Sequence, residues 1–401
     1  VTDEADASRL RNHPDAYRLA IANVIDGLGT YVGLAALLVV GYNATQLVGT
    51  AMVLAAHILP GLLVTLVVAP RLQHRQRRRV LLVLNLIGVL SLVPAIIAPG
   101  AATAVLAAAL LGATGVAARG VQMAALTEAV PYAVRARFYG TVGSFTQAVQ
   151  VFGLAAGGAL AASLSPRSAL VIDALSFTVA GLVIATIRFG PMAARPIGQG
   201  TAETFGNAAR VVWSSPVLRM LAVVTWIGAL VASVPEAASP AVTSGPLLPF
   251  VMAASPAGGA IAALIATKIG LFSRLGGSLR LAVASAVSLM ILGAGMGVAF
   301  QHPADSLGRG FYGVAANALI GGLGVWFLGM IAAFTEHTPA SETVAVGSFM
   351  SWSVGAASGL GGFAVAGLGV AGGYAALGLL LLPAALWGLR VVSSIPSVGS
   401  R

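Results

Sequence analysis

Cysteine is absent from this 401-residue chain, and lysine occurs once, as Lys268. Without thiols there is no disulfide framework and no thiolate metal site. A phosphate-gripping P-loop needs Gly-Lys followed by Ser or Thr, but Lys268 is followed by Ile269. A self-contained ATP-driven pump is therefore excluded. The five histidines are scattered without the spacing of metal ligands. Neither H-E-x-x-H nor G-x-S-x-G occurs, so the two commonest hydrolase signatures are missing too. Nothing reads as an enzyme, a cofactor site or a metal site.

Charge is also scarce. Only 8% of residues are Asp, Glu, Lys or Arg, where a soluble chain carries about a quarter. Too little charge is present to clothe a water-facing surface, and the mean hydropathy is +0.94. Apolar runs of about 20 residues, long enough to cross a ~30 Å hydrocarbon layer, recur along the chain. This is an all-α, multi-pass membrane protein, because unpaired backbone groups in lipid leave only helices for such runs. Short alternating segments, the mark of an outer-membrane barrel, are not seen.

Twelve spans are expected, near 17–41, 45–69, 79–98, 101–126, 139–163, 167–188, 217–235, 246–268, 279–300, 309–334, 343–367 and 371–393. The polar first 16 residues and the length of the first apolar run predict an uncleaved helix rather than a secretion signal. The net charge of +10 could suggest nucleic acid, but the cations are distributed as a topology signal. With both termini cytoplasmic, only Arg167 and Arg309 fall outside and only Arg119 within a span, among 22 basic residues. That is the positive-inside bias of an even number of spans. The cluster "PRLQHRQRRRV" at 70–80 then faces the anionic headgroups of the inner leaflet. No nucleic-acid partner is implied.

A polar stretch with Pro191, Pro196, Gly198 and Gly200 divides the chain. The expected plan is a tail over 1–16, a six-helix bundle over 17–190, a linker over 191–216, a second bundle over 217–393 and a tail over 394–401. Within the linker, Phe205, Ala209, Val212 and Trp213 share a helical face, predicting a short amphipathic helix on the inner membrane surface. The halves echo one another. "TEAVP" at 127–131 follows span four and "TEHTP" at 335–339 follows span ten; span five carries Gly153 and Gly157, and span eleven Gly355 and Gly359. Small residues four apart let helix backbones approach closely, and paired six-helix halves around a midplane site are a transporter plan.

Several stretches resemble the major facilitator superfamily, and within it the multidrug and siderophore branch that contains enterobactin exporters. Leu59-Pro60 and "APRLQHRQRRRVL" stand where that branch has Leu-Pro and GxLADRxxRRRVL, with Arg77, Arg78, Arg79 and Val80 in place. "ARGVQMAALTEAVP" is similar to its fourth span, Arg119 and Gln122 matching an RxxQ element; "GLAAGG", "LVIDALSFTVAGLVI" and "SSPVLRML" match further segments. The loop motif is degenerate. Gln73 replaces the family aspartate, His74 the arginine after it and Gln76 a further acid or glycine, while Leu154 replaces a proline and Thr30 an aspartate. Gln73 can hydrogen-bond but not ion-pair, so the resemblance implies a weakened inner gate. It further implies secondary transport by alternating access, with proton-coupled export of small amphipathic, drug-like or natural-product-like molecules. The alternatives are an uptake or facilitative carrier, or a transport-inactive scaffold, partner or sensor.

Candidate site residues follow. Asn23, Asp26 and Thr30 share one face of span one. Asp26 is either a proton or substrate site or a buried packing contact, since ionisable groups at membrane depth are paired or line a cavity. Arg119 either pairs with Asp26, binds an anionic substrate, or is structural; Gln122 lies one turn on. Gln147 joins Ser144 and Gln150 in a polar stripe on span five. Asn317, Trp226, Trp326 and Trp352 are candidate cavity walls, although tryptophan also favours lipid interfaces. His57 reads as a packing residue before a proton relay, Asp173 as structural or interfacial, and Glu236 as exposed. Gln73, Arg77, Arg78, Glu128, Arg135, Arg137 and Glu336 are the gating candidates. The partners expected are the bilayer, an unidentified small molecule and a proton. A monomer is expected, with a protein partner left open. Scarce lysine beside abundant alanine and arginine points to a GC-rich bacterial genome, and the location expected is a bacterial cytoplasmic membrane.

Overall fold

The computed structural model describes residues 14–67, 76–129, 135–188, 201–243, 245–268, 306–322 and 342–394, with isolated positions at 288, 291, 292, 295, 296 and 338. These residues form helices throughout: α1 Pro14–Val67, α2 Arg77–Ile97, α3 Ala101–Ala129, α4 Arg135–Ser163, α5 Pro166–Ala185, α6 Thr201–Ser214, α7 Pro216–Val242, α8 Leu248–Lys268, α9 Ser306–Gly322 and α10 Thr343–Ser394. Eight of them are long and apolar enough to cross a membrane. The expected ninth span, 279–300, lies largely outside the described residues, as does the second half of the expected tenth.

The two longest helices are each broken inside. In α1 the ladder is interrupted at Thr45 and Gln46, where Gln46 takes φ 56°. The two arms touch at Gly41 and Gly49, where a Cβ on Gly41 would stand 2.8 Å from the Gly49 carbonyl oxygen. In α10 the break is Gly369, at φ 74° and ψ 174°. That conformation is open to glycine and strained for any L side chain. Both breaks fall between apolar runs read as separate spans.

Helix starts follow local chemistry. Ser165 precedes Pro166 and Ser215 precedes Pro216, and each serine oxygen accepts from the backbone N–H three residues on. This pairs an N-cap hydroxyl with a proline whose missing N–H has no intrahelical role at the first position. Inside α7, Pro235 and Pro240 remove the donors for the carbonyls of Val231 and Glu236. The helix nevertheless continues to Val242, so Glu236 sits inside it and is half-buried rather than exposed.

Outward surfaces are apolar. On α2, Val83, Leu86, Leu90, Val93 and Ile97 form an exposed stripe at helical spacing, while Leu81, Asn85, Gly88, Leu92 and Ala95 are buried. A leucine stripe on the outside with a small and polar stripe inside is the pattern of a helix that faces lipid and packs through small residues.

The chain divides into two compact units, Val1–Pro196 with Ser244–Ala253, and Ile197–Thr243 with Ala254–Arg401. In the first, α1 packs on α3, α5 and α4, and α2 packs on α5 and α3. One core there joins Leu19 and Ala22 of α1 to Leu81, Ala118, Val121, Ala180 and Ile184. In the second, α10 packs on α7 and α6, and α9 on α7. The linker helix α6 buries Ala208 and Val212 while Trp213 is about half exposed. Its apolar face is thus set by positions 205, 208 and 212, and it packs on protein.

Candidate functional site

The first unit concentrates the ionisable groups. Asn23, Asp26 and Thr30 lie half-buried on α1. Gly29 and Gly33 follow Asp26 at three and seven residues, which places all three on one side of the helix. Against that side lies Asp173 of α5, fully buried. A Cβ on Gly29 would come 2.9 Å from Asp173 Oδ1, and one on Gly33 would overlap Oδ2. The carboxylate therefore rests directly on bare α1 backbone. Here glycine is required by close approach.

Hydrogen bonding around the two acids is sparse. Ser176 Oγ donates to the Asp173 carbonyl at 2.8 Å and lies 3.5 Å from its Oδ1. Asp173 Oδ2 and Asp26 Oδ1 are buried with no hydrogen-bond partner. Asp26 acts on Asp173 through space. Arg119 of α3 is exposed and acts electrostatically on both Asp26 and His57. His57 bonds to the Ala108 backbone, leaving Nδ1 unpartnered. Gln122, one turn beyond Arg119, is 3% exposed, and its Nε2 has no partner. Gln147 of α4 is exposed.

Sequence reasoning read Asp173 as structural or interfacial, and in the structure none of its surface is accessible. The available signal was an acid followed three residues later by Ser176, within an otherwise apolar run. What the sequence could not show is the glycine pair on another helix that receives it.

In the second unit a neutral, hydrogen-bonded network stands beside the acid Glu236 of α7 and Thr338, whose buried hydroxyl has no partner. Tyr374 Oη donates to Asn317 Oδ1 at 2.8 Å, Asn317 Nδ2 donates to Ser239 Oγ at 3.3 Å, and Ser239 Oγ donates to the Pro235 carbonyl. This chain ties α10, α9 and α7 together, and Asn317 is 1% exposed. Trp226 Nε1 donates to Ser353 Oγ at 2.8 Å, and its ring meets Trp213 edge-on at 6.0 Å. Trp352 meets Phe205 in the same way at 6.0 Å, and Phe349 lies 6.1 Å from Phe205. Two of the candidate wall tryptophans thus hold the linker helix. Trp326 lies outside the described residues.

Gly153 and Gly157 bring α4 onto α1: a Cβ on the first would stand 2.6 Å from Tyr31 Cβ, and one on the second 2.6 Å from the Val32 carbonyl oxygen. Gly355 and Gly359 lie in α10, where Gly359 is buried; the tight contact in α10 is at Gly361, against Leu230 and Ser233 of α7. Of the gating candidates, Arg77 and Arg78 open α2, half-buried and exposed respectively. Glu128 falls in α3, and Arg135 and Arg137 in the first turn of α4, but their side chains are not described. Gln73 and Glu336 lie outside the described residues.

The described residues thus form an all-helical architecture in which eight helices are long and apolar enough to cross a membrane. No protein-family model matches the sequence, and no curated protein matches it. Solved structures do. The nucleoside transporter NupG is similar with a TM-score of 0.74 and 11% identity over 94% of this chain and 98% of that one. An auto-inhibited POT family peptide transporter is similar with a TM-score of 0.69 and 12% identity over 97% of this chain and 98% of that one. A bacterial homologue of the human lysosomal transporter Spinster, inward-facing and unoccupied, gives a TM-score of 0.59 and 14% identity over 95% and 96%. At such identities the likeness speaks for the fold.

Proposed function

We propose that this chain is a secondary active transporter that works by alternating access, built as twelve spans in two six-helix halves. It exports small amphipathic, drug-like or natural-product-like molecules across a bacterial cytoplasmic membrane, with both termini inside, in exchange for protons. The observation that carries the reading is Asp26. It is an acid at membrane depth whose buried Oδ1 has no partner, on the same helix face as Asn23 and Thr30 and within the field of Arg119. A carboxylate so placed is a functional group by default, because insertion of a charge costs roughly 2.5–3.5 kcal/mol. Asp26 takes up a proton in one state and releases it in the other.

The experiment is dye or drug flux in proteoliposomes, with and without an imposed pH gradient. Gradient-driven flux that survives unchanged in Asp26→Asn would retire the coupling role. Uptake is the second reading. Solved neighbours include a nucleoside and a peptide transporter, and fold does not set direction. Reversing the gradient in the same vesicles separates the two. A protein that moves no solute under either gradient and co-purifies with a stoichiometric partner would instead be a scaffold.

A further inference from the structure

We propose that Asp173, with Asp26 beside it, forms a proton-binding site sealed by the bare α1 backbone at Gly29 and Gly33. The first support is geometric. Both carboxyl oxygens face α1, and a methyl group at either glycine would meet them. The second is the orphaned oxygen, because Oδ2 is buried without a partner on a side chain with no accessible surface.

No described cation answers this carboxyl. The group of α1 that acts on it is Asp26, of the same sign, and on its own helix Ser176 Oγ lies 3.5 Å from Oδ1. Ser176 has one hydroxyl proton, and the 2.8 Å bond to the Asp173 carbonyl takes it. On α2, Asn85 lies against Gly181 and Gly88 against Phe177, so the polar residue level with Asp173 is the buried Ser91, whose Oγ donates to the Gly88 carbonyl at 2.7 Å. The arginines of α2, Arg77 to Arg79, occupy its first turn. The described side chains of α4 include no titratable group. On α3, Arg119 acts on Asp26.

A charge in such a groove lacks compensation, whereas a neutral carboxyl fits it. Proton binding at Asp173 and closure of α5 onto α1 are then one event, and opening the groove releases the proton. This places a second acid in the proposed coupling pathway and rests on that reading for its role. Its detection does not depend on transport.

The test is infrared difference spectroscopy of the full chain in nanodiscs, recorded on either side of neutrality. A protonated-carboxyl C=O band is expected, lost in Asp173→Asn and retained in Asp26→Asn with a displaced titration midpoint. An unchanged band in Asp173→Asn overturns the site. Should that variant fail to fold, Ser176→Ala must shift the frequency of the band, and an unmoved band is equally fatal. A protein that shows the band but moves no solute keeps this site and loses the transporter reading. One that transports without an Asp173 band does the reverse.

Discussion

The polar interiors of the two units are made from different chemistry. The first holds Asp26, Asp173, His57 and Arg119, and it leaves several of their buried atoms without partners. The second holds Asn317, Ser239, Tyr374, Trp226 and Ser353, all neutral and joined by hydrogen bonds. A satisfied neutral network fixes one arrangement of helices. Unpartnered ionisable groups do the opposite: they leave the energy of a state dependent on who supplies a proton or a counter-charge. The first unit carries more of the unpartnered ionisable atoms and the second more of the satisfied network, with Glu236 and the Thr338 hydroxyl as the second unit's exceptions.

The sharpest way to break that contrast is a pair of substitutions read by flux. Asp26→Asn should lower gradient-driven transport about 5- to 150-fold, the range of typical coupling energies, while Asn317→Ala leaves the proton dependence of any remaining flux intact. If Asn317→Ala abolishes that dependence, the division of labour fails. Next in size is Gly33→Val, which forces side-chain atoms into the Asp173 carboxyl. It should destabilise the first unit by about 1–3 kcal/mol or more, as overpacking does, seen as a lower thermal midpoint in detergent. In the second unit, Trp226→Phe removes the bond to Ser353 and trims the ring that meets Trp213. A loss of about 0.5–1.5 kcal/mol is expected, with transport unchanged in its pH profile. Smallest is Arg18→Ala, since the 3.6 Å pair with Asp15 is half exposed on both sides. Such pairs contribute about 0.2–1 kcal/mol, so a midpoint shift comparable to that of Gly33→Val would contradict the assignment.

The helices were legible because lipid leaves the backbone no alternative, and an apolar run is visible one residue at a time. The topology expected from the arginines, with both termini cytoplasmic, stays a proposal. Asp173 was harder. Its environment depends on Gly29 and Gly33, more than a hundred residues away, and one chain read alone cannot pair them. The linker helix shows a related miss. Its periodicity was visible, but whether Phe205 and Trp213 meet lipid or the aromatic rings of Phe349, Trp352 and Trp226 depends on tertiary contacts. Gly369 was hidden in plain view, one of 50 glycines, and only its φ distinguishes it from those that serve packing. Gln73, on which the gate argument turned, lies outside the described residues.

The bare-backbone crossings also have a mechanical meaning. In the first unit a Cβ on Gly112 would run into the His57 carbonyl; in the second, one on Gly258 would run into that of Ala318 and one on Gly321 into that of Ser255. Helices in contact through their main chains have no side-chain layer to repack, so they cannot slide or roll past each other by small rotamer steps. Each such pair must travel as a single strut. Any shape change within a unit is therefore borne where side chains intervene, as Asp173 and Ser176 of α5 do against Gly29 and Gly33 of α1.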